Sequence, residues 1–346
     1  MLVGIVTVYL LGTLVAGALL STRIRKVSDY LVAGRELNLA LSTASLAAVQ
    51  IGAGVVLGGA ENGASNGLWP GVWYGLGCGG GLILGGLLAA EKMRSMGGLV
   101  PIDFFSARYG EYRAVRTWAW LSNIPSLLGI FAAQMMASGS VLSAALGVSF
   151  QTAVLMVAGV IALSNVLSGM WGVVFADFFQ VSIIAVGIPV TAFAAVSQID
   201  GAALTAVLST PFIPEGMGSR AVFLITPFLF SISVSYDAFI RYQAARTGAI
   251  AKWACILAGI LTIAVAFCAA LIGAAGHRAF PDIASNKVLT HVASGTGIFA
   301  PCLPPPRGQS CPFSNTFGLT RERARGRYRT RSAGRPAGAF PPRARC

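Results

Sequence analysis

The sequence predicts an all-α protein built as a polytopic bundle of transmembrane helices. Hydrophobic residues make up 55% of the 346 residues and charged residues only 11%, with a mean hydropathy of +0.73. Ordinary soluble domains contain about 25% charged residues. The apolar residues form stretches long enough to cross a bilayer, and most of the basic residues before position 300 lie on one side of the predicted membrane.

Eight apolar stretches are candidate spans, because about 20 apolar residues in a helix cross the hydrocarbon core of a bilayer. In chain order they cover residues 2–20, 40–60, 69–90, 117–145, 151–170, 174–195, 221–238 and 253–275. The first resembles a signal peptide, but it has no basic residue at its start and is long enough to span. We therefore predict that it is a retained helix.

The loops between these spans predict the orientation of the chain. Those after the first, third and seventh spans hold twelve Lys and Arg residues, whereas the loops on the opposite side hold Arg220, Arg278 and Lys287. Because cytoplasmic loops are enriched in Lys and Arg, this asymmetry predicts an N-terminus on the outside.

Residues 39–67 are apolar enough to cross a membrane, yet Gln50, Gly52 and Gly54 lie near their middle. Free backbone groups are costly in hydrocarbon, so an interrupted helix persists only where it lines a cavity or is covered by protein. In secondary transporters, such a break presents carbonyl groups to a cation and N–H groups to a polar substrate. The alternative is that these glycines only let neighbouring helices approach closely.

Asp177 lies in the segment SGMWGVVFADFFQ, which we predict to be a cytoplasmic turn between the fifth and sixth spans. A carboxylate at the edge of a membrane is costly unless it faces a partner or water. Gln180, three residues later, shares its helical face. Asp177 is therefore predicted to face a partner or water. The alternative is an aspartate at the start of the sixth helix that snorkels to the membrane surface or caps that helix.

The seventh span is predicted to be a second interrupted helix. Pro227 removes a backbone hydrogen bond, and Ser231, Ser235 and a third serine between them precede Asp237. Serines can line a polar path, which makes Ser231, Ser235 and Asp237 candidate path residues. The alternative is a proline kink whose serines bond back to their own helix.

Four segments together resemble the sodium:solute symporter family. They are KVSDYLVAGR from Lys26, the interrupted stretch that follows it, GMWGVVFADFFQ at 169–180 and RYQAAR from Arg241. The family includes sodium-coupled carriers of sugars, proline and pantothenate, and the spacing agrees over about residues 2–299. The resemblance implies a LeuT-like core with a leading helix and two inverted repeats whose first members are broken. The second and seventh spans take those two places.

The resemblance implies that Na⁺ is the co-transported ion, held partly by the backbone carbonyls of Ala48 and Ile51 and partly by hydroxyls of a later core helix. Such oxygen ligands suit a hard cation. It also places Asp177 on a cytoplasmic ion-release path, although Ala176 stands where the family has Thr. Substrate residues do not transfer, so Gln50 could bind an organic anion, an amino acid or a vitamin-like solute. We expect no other metal and no organic cofactor.

The resemblance ends near residue 299, and a segment rich in Arg and Pro follows. In residues 301–346, ten arginines oppose Glu322 and supply most of the formal net charge of +13. This composition cannot bury a core, so we predict a disordered tail after a partial symporter domain at 1–300. A shifted reading frame would produce such a change, leaving the second repeat incomplete and transport impaired. The alternative is a basic arm for lipid or nucleic acid.

We therefore predict sodium-coupled transport of a small organic solute by alternating access. The expected partners are the solute and the lipid bilayer of a cell membrane, with the bacterial inner membrane favoured, and no nucleic acid. The alternatives are a symporter-like sensor domain of a signalling system and a non-functional fragment. An enzyme is not predicted, because His277 and His291 follow the last span without a matched nucleophile.

Overall fold

The computed structural model describes residues 24–99 and 113–295, with a few isolated positions outside these ranges. Within this part of the chain the regular structure is helical, apart from one isolated β-bridge between Leu37 and Ala245. The helices, numbered here in chain order, are α1 (Val27–Val32), α2 (Leu39–Gln50), α3 (Gly59–Asn66), α4 (Leu68–Gly85), α5 (Glu91–Met96), α6 (Arg113–Leu146), α7 (Phe150–Val196), α8 (Gly201–Leu208), α9 (Gly218–Ser231), α10 (Tyr236–Ala244), α11 (Gly248–Ala279) and α12 (Val288–Gly295). The all-α prediction is confirmed for the described residues.

Short turns of other helical types connect several of these helices. Among the described residues, π-helical turns lie at Gly54–Gly58 and Gly86–Ala90, and 3-10 turns lie at Ala33–Arg35, Ile232–Val234 and Ser285–Lys287. The turn at Gly54–Gly58 belongs to the first interrupted helix, and the turn at Ile232–Val234 belongs to the second.

Three helical segments are long and apolar enough to cross a membrane: Leu68–Met96, Asn165–Val196 and Gly248–Ala279. Two bent pairs pass the same test when each pair is taken together: α2 with residues 54–66, and residues 218–234 with α10. The described part of the chain therefore contains three to five candidate spans.

The remaining predicted spans are not among these candidates. Residues 2–20 lie almost wholly outside the described residues, and 117–145 fall within α6. Residues 151–170 fall in the first part of α7, whose apolar portion, Phe150–Leu163, is shorter than a span. The count of eight spans and the external N-terminus stay predictions. So do the domain boundary at residue 300 and the disordered tail, which lies outside the described residues.

The segment predicted to be a turn before the sixth span is helical. α7 continues through it and is interrupted at Gly169, whose φ of 51° and ψ of −146° lie outside the helical region. Glycine adopts this positive φ without strain, and a Cβ here would also lie 2.7 Å from the carbonyl oxygen of Tyr30. The predicted change of direction between the fifth and sixth spans therefore occurs, but at Gly169 alone, and the rest of the predicted turn is helical. Asp177 lies eight residues beyond Gly169, so it is not a cap at a helix start.

Glycines of α4 let it pack closely between α11 and α9. A Cβ added to Gly75 would overlap that of Ala266 in α11. On another face, a Cβ added to Gly77 would lie 2.9 Å from the carbonyl oxygens of Leu224 and Ile225 in α9. Small residues are typical of close helix contacts in membranes, where van der Waals packing drives association. The close packing joins α4, α9 and α11 into one bundle, and α11 also packs on α2, α3 and α7.

Candidate functional site

The first interrupted helix breaks where its glycines predict. α2 ends at Gln50, and its axis makes an angle of 59° with that of the helix that follows. Ile51 adopts a non-helical φ of −81° and ψ of 62°, and its N–H donates to the carbonyl of Ala47 at 2.8 Å. The last four carbonyl groups of a helix have no partner within it. The end of α2, which includes Ala48, therefore offers backbone oxygens in the middle of a candidate span.

Side chains from two other helices approach the glycines of this break. A Cβ on Gly52 would lie 2.9 Å from Nε2 of Gln134 in α6, and a Cβ on Gly54 would lie 2.9 Å from Cε1 of Tyr74 in α4. The ring of Tyr74 in turn packs edge-on against Phe228 of α9, with centroids 4.7 Å apart. The two alternatives for these glycines, a helix break and a close approach, therefore both occur.

The second interrupted helix breaks at Ser235 rather than at Pro227. Pro227 lies inside α9, and a 3-10 turn then carries the chain to Ser235, whose ψ of 156° is extended. The helices on the two sides meet at 41°. Membrane helices tolerate proline, whereas an extended serine starts a new helix by capping it. Ser235 does so by accepting a hydrogen bond from the N–H of Ala238 at 3.4 Å. The prediction of an interrupted helix is confirmed, but its predicted cause was wrong.

The serines of this region do not share one polar surface. Ser233 donates to the carbonyl of Gly81 in α4 at 2.8 Å and to its own helix at the carbonyl of Leu229 at 3.1 Å. Ser235 donates to the carbonyl of Ile232 at 3.1 Å. Ser231 is exposed on α9. Local bonding, the alternative raised for these serines, describes Ser233 and Ser235, and a path role for Ser231 and Ser235 stays a prediction.

Asp177 belongs to a polar cluster that connects both interrupted helices to α7. Its Oδ2 accepts a hydrogen bond from the hydroxyl of Ser45 in α2 at 2.8 Å and lies 3.6 Å from Nη2 of Arg241 in α10. Nε of Arg241 donates to the carbonyl and hydroxyl oxygens of Ser45 at 3.1 and 3.0 Å, and Nη1 donates to the carbonyl of Asp237 at 3.2 Å. We call Ser45, Asp177 and Arg241 the Asp177 cluster.

The Asp177 cluster is largely removed from solvent. The side chains of Arg241 and Asp177 are 12% and 14% exposed, and Ser45 is fully buried. Removing two charges from water is costly, and the cost is offset only when each charge meets the other and further hydrogen bonds. Here the hydroxyl of Ser45 supplies such bonds to both partners. The cluster is therefore a specific link rather than a chance surface pair.

Two of the three cluster residues are not candidates from the sequence. In the sequence, Arg241 belongs to a basic loop and begins the RYQAAR segment, and neither feature assigns it to a site; Ser45 has no distinguishing feature. A lone aspartate in an apolar helix needs a partner, and that requirement points to Arg241, a cation in the second half of the second interrupted helix. Ser45 carries no such signal, because a serine in an apolar helix usually bonds to its own backbone.

Hydrogen bonds to backbone carbonyl groups hold the segment that follows Arg241 in place. Nε of Arg94 donates to the carbonyl of Ala245 at 2.6 Å, and Nε2 of Gln243 donates to the carbonyl of Met93 at 2.6 Å. The N–H of Leu37 donates to the carbonyl of Ala244 at 3.2 Å, within the isolated β-bridge. The start of α2 and the end of α5 are therefore both attached to the end of α10.

No group of three or more His, Cys, Asp or Glu side chains that could hold a metal ion occurs among the described residues. The oxygens that the site does offer are those of backbone carbonyls at the end of α2, of the Ser45 hydroxyl and of the Asp177 carboxylate. Hard cations such as Na⁺ prefer oxygen ligands. The donor set is chemically suited to a transported cation.

Two interrupted helices packed in one apolar bundle, with carbonyl oxygens at a break in mid-span, are the architecture of a secondary transporter. The particular class follows from comparison with known sequences. The chain belongs to the sodium:solute symporter family, whose sequence model matches residues 30–276. It is therefore a multi-pass membrane protein of a transporter family and not an enzyme.

Two related proteins are transporters named for choline. The high affinity choline transporter 1 of Homo sapiens is 27% identical over 258 residues, which are 71% of this chain and 44% of the human protein. The high-affinity choline transporter 1 of Caenorhabditis elegans is 28% identical over 177 residues, or 50% of this chain and 30% of that protein. The matches thus cover less than half the length of these relatives.

A solved structure of a Na⁺-coupled sialic acid symporter has a similar fold. The TM-score is 0.52 with 14% sequence identity, over 87% of this chain and 79% of the symporter chain. At this identity the similarity concerns the fold alone. It confirms the symporter fold that the resemblance implies.

Proposed function

We propose that this protein transports a small organic solute together with Na⁺ by alternating access. The observation that carries the proposal is the break between Gln50 and Gly54, where α2 ends in mid-span and its last carbonyl groups lack helical partners. Family membership supports sodium as the coupling ion. A break at this place suits a carrier, because an interrupted helix offers backbone oxygens as ligands that a continuous helix cannot offer.

The backbone carbonyls of Ala48 and Ile51 are the proposed sodium ligands. They belong to the end of α2, and Ile51 is buried, so an ion there would be largely shielded from water. Hard cations take about six oxygen ligands, so other groups must complete the shell. Gln50, half-buried at the same helix end, is the proposed polar contact of the solute.

Asp177 is the proposed next contact of the ion on its way to the cytoplasm. Its hydrogen-bond partner Ser45 precedes Ala48 by three residues, which is about 4.5 Å of helix rise. This displacement is towards the start of α2, which lies on the side that the basic loops predict to be cytoplasmic. The Asp177 carboxylate, which contacts α2 at Ser45, would attract a cation that leaves the carbonyls of Ala48 and Ile51.

A choline-like organic cation is the proposed solute. Two observations support it: the two named relatives are choline transporters, and aromatic rings lie at the break. The rings of Tyr74 and Phe228 are in edge-on contact, and Tyr74 lies against Gly54. A quaternary ammonium group is attracted to aromatic faces and needs no carboxylate partner.

The test is uptake of radiolabelled choline into proteoliposomes that contain the full 346-residue chain. An inward Na⁺ gradient is compared with an equal K⁺ gradient, and unlabelled proline and sialic acid serve as competitors. Because the second repeat is predicted to be incomplete, we expect weak uptake, and we expect it to depend on Na⁺ and to be competed by unlabelled choline. Equal uptake in Na⁺ and K⁺ would contradict sodium coupling, and competition by proline or sialic acid instead would reassign the solute.

Two glycine variants give this assay a matched control. Gly54→Ala places a Cβ against the ring of Tyr74 at 2.9 Å, whereas Gly58→Ala meets nothing nearer than the carbonyl of Ala53 at 3.9 Å. We expect Gly54→Ala to reduce uptake strongly and Gly58→Ala to leave it near the wild-type rate. Equal rates in the two variants would show that the break does not take part in transport.

A further inference from the structure

Arg241 contacts both of the other residues in the Asp177 cluster. Its Nε is held by the carbonyl and hydroxyl oxygens of Ser45 in α2, while its Nη2 faces Asp177 in α7. The Arg241 side chain itself projects from α10, beyond the break at Ser235. One guanidinium therefore connects the inner parts of both interrupted helices to the span at Asn165–Val196.

The contact between Arg241 and Asp177 is the weakest in the cluster. The distance from Nη2 to Oδ2 is 3.6 Å, and a single nitrogen faces the carboxylate. Tight Arg–carboxylate pairs are commonly bidentate, with each N–O distance at about 2.7–2.9 Å. By contrast, the three contacts of Ser45 in the cluster measure 2.8 to 3.1 Å. The guanidinium is thus anchored on α2 and only loosely paired with α7.

A cation that reaches Asp177 would compete with this guanidinium. Two positive charges near one carboxylate repel each other, and the repulsion is strong in surroundings from which water is largely excluded. Because Nη2 makes the longest contact, it is the part of the cluster that a sodium ion would displace. Displacement would remove the ionic link between α7 and the two interrupted helices.

We propose that Arg241 is a positioning residue that holds the cytoplasmic end of the transport path closed until Na⁺ replaces its guanidinium at Asp177. The inference rests on the proposed sodium-coupled function and adds the residue that couples ion release to opening. With Arg241 paired, α2 stays against α7. With Na⁺ at the carboxylate, α2 parts from α7 and the ion passes to the cytoplasm. The ligand therefore shifts the equilibrium through its differential affinity for the open state.

Ser42 provides a local reporter of this opening. It lies one turn before Ser45 on the same face of α2, is 1% exposed, and its hydroxyl has no hydrogen-bond partner among the described residues. Ser42→Cys is close in size and removes no contact of the cluster. Its alkylation by N-ethylmaleimide is followed in the full chain by peptide mass spectrometry, so the native cysteines stay in place.

The experiment compares labelling of Cys at position 42 in Na⁺ and in K⁺, in four backgrounds. With wild-type Arg241, we expect labelling about tenfold faster in Na⁺ than in K⁺, which corresponds to a modest shift in the population of the open state. Arg241→Gln removes the guanidinium charge and should label fast in both salts. Arg241→Lys keeps the charge and should retain the dependence on Na⁺. Arg246→Gln removes an exposed arginine on the following loop and should behave as wild type.

Two results would overturn the proposal. The first is slow labelling of Arg241→Gln in K⁺, at the wild-type rate, because the Arg241–Asp177 pair would then not be what holds the cytoplasmic end closed. The second is a wild-type rate that does not change with Na⁺ although choline uptake requires Na⁺. Loss of sodium-dependent uptake in the wild-type chain is a separate result, which contradicts the proposed function itself. Gel filtration and unchanged labelling of buried Cys255 identify any variant that has misfolded.

Discussion

The two interrupted helices reach similar bent shapes through different local chemistry. The first bends by 59° at positions where glycine removes the side chain, and the second bends by 41° where Ser235 starts a new helix. At the first break, Gln134 and Tyr74 occupy the space next to the missing side chains. At the second, a hydroxyl accepts a backbone N–H. A helix can therefore be broken by removing side chains or by offering its backbone another partner.

This difference determines what each break offers to a ligand. The first break leaves the carbonyl end of α2 without helical partners, which suits a cation. The second break satisfies the N–H end of α10 from within the chain. The Asp177 cluster then connects the two helices on one side of their breaks.

The largest effect is expected from the link between the two interrupted helices. Asp177→Asn leaves the Arg241 guanidinium without its counter-charge, and loss of one partner from a buried pair costs about 3 kcal/mol or more. Asp177→Asn combined with Arg241→Gln should cost less than the sum of the two single changes, because neither charge is then left alone. Unfolding in detergent measures all three variants. Additive costs would show that the two side chains are not coupled.

The next effect concerns the packing of the helix that follows the first break. A Cβ on Gly63 of α3 would overlap the carbonyl oxygen of Ala270 in α11, so Gly63→Ala forces the two helices apart. Overpacking of this kind costs about 1–3 kcal/mol. Thermal unfolding in detergent should show the loss. Gly58→Ala is the matched control, since a Cβ there meets nothing nearer than 3.9 Å, and equal stability of both variants would argue against close packing.

A smaller effect is expected at the second break. Ser235→Ala removes the hydroxyl that accepts from the N–H of Ala238, and loss of such a cap costs about 1 kcal/mol. Ser231→Ala changes an exposed serine of the same helix and should alter the unfolding free energy by less than about 0.5 kcal/mol. If Ser231→Ala proved the more harmful, the break would depend on α9 rather than on the cap of α10.

The smallest effect is expected from Asp29 in α1, the short helix that precedes the first interrupted helix. Its Oδ2 accepts the N–H groups of Arg25 and Lys26 at 3.0 Å each, and the bond from Arg25 contributes most to holding the pKa of Asp29 below its usual value. A depressed carboxyl pKa stabilises the folded state above the usual pKa, and this contribution is lost as the pH falls through the folded value.

Hydrogen exchange of Val27–Val32 measures this contribution. Protection of these amides should decrease as the pH falls below about 4, near the usual pKa of aspartate, after correction for the intrinsic exchange rate. Asp29→Asn should show less protection at neutral pH and a flatter pH dependence. An unchanged profile in the variant would assign the protection to packing of α1 instead.

The sequence by itself determined the class of the protein and the position of its first break. Apolar stretches of bilayer length cannot fold as a soluble domain, and glycines at 52 and 54 remove the side chains that a regular helix would pack. Both are local properties of the chain, so no knowledge of neighbouring helices was needed. Four short motifs indicated the family, and the family's sequence model, which matches residues 30–276, confirms it.

Only the tertiary structure decided how α7 continues past Gly169 and which residues meet Asp177. The turn predicted before Asp177 is confined to one glycine, Gly169, which packs against Tyr30, and the residues after it, Asp177 included, are helical. Ser45 and Arg241 lie 132 positions before and 64 positions after Asp177 in the chain, and their meeting depends on how α2, α7 and α10 pack. Polar pairs across helices are set by such packing, and the periodicity of one segment contains no information about it.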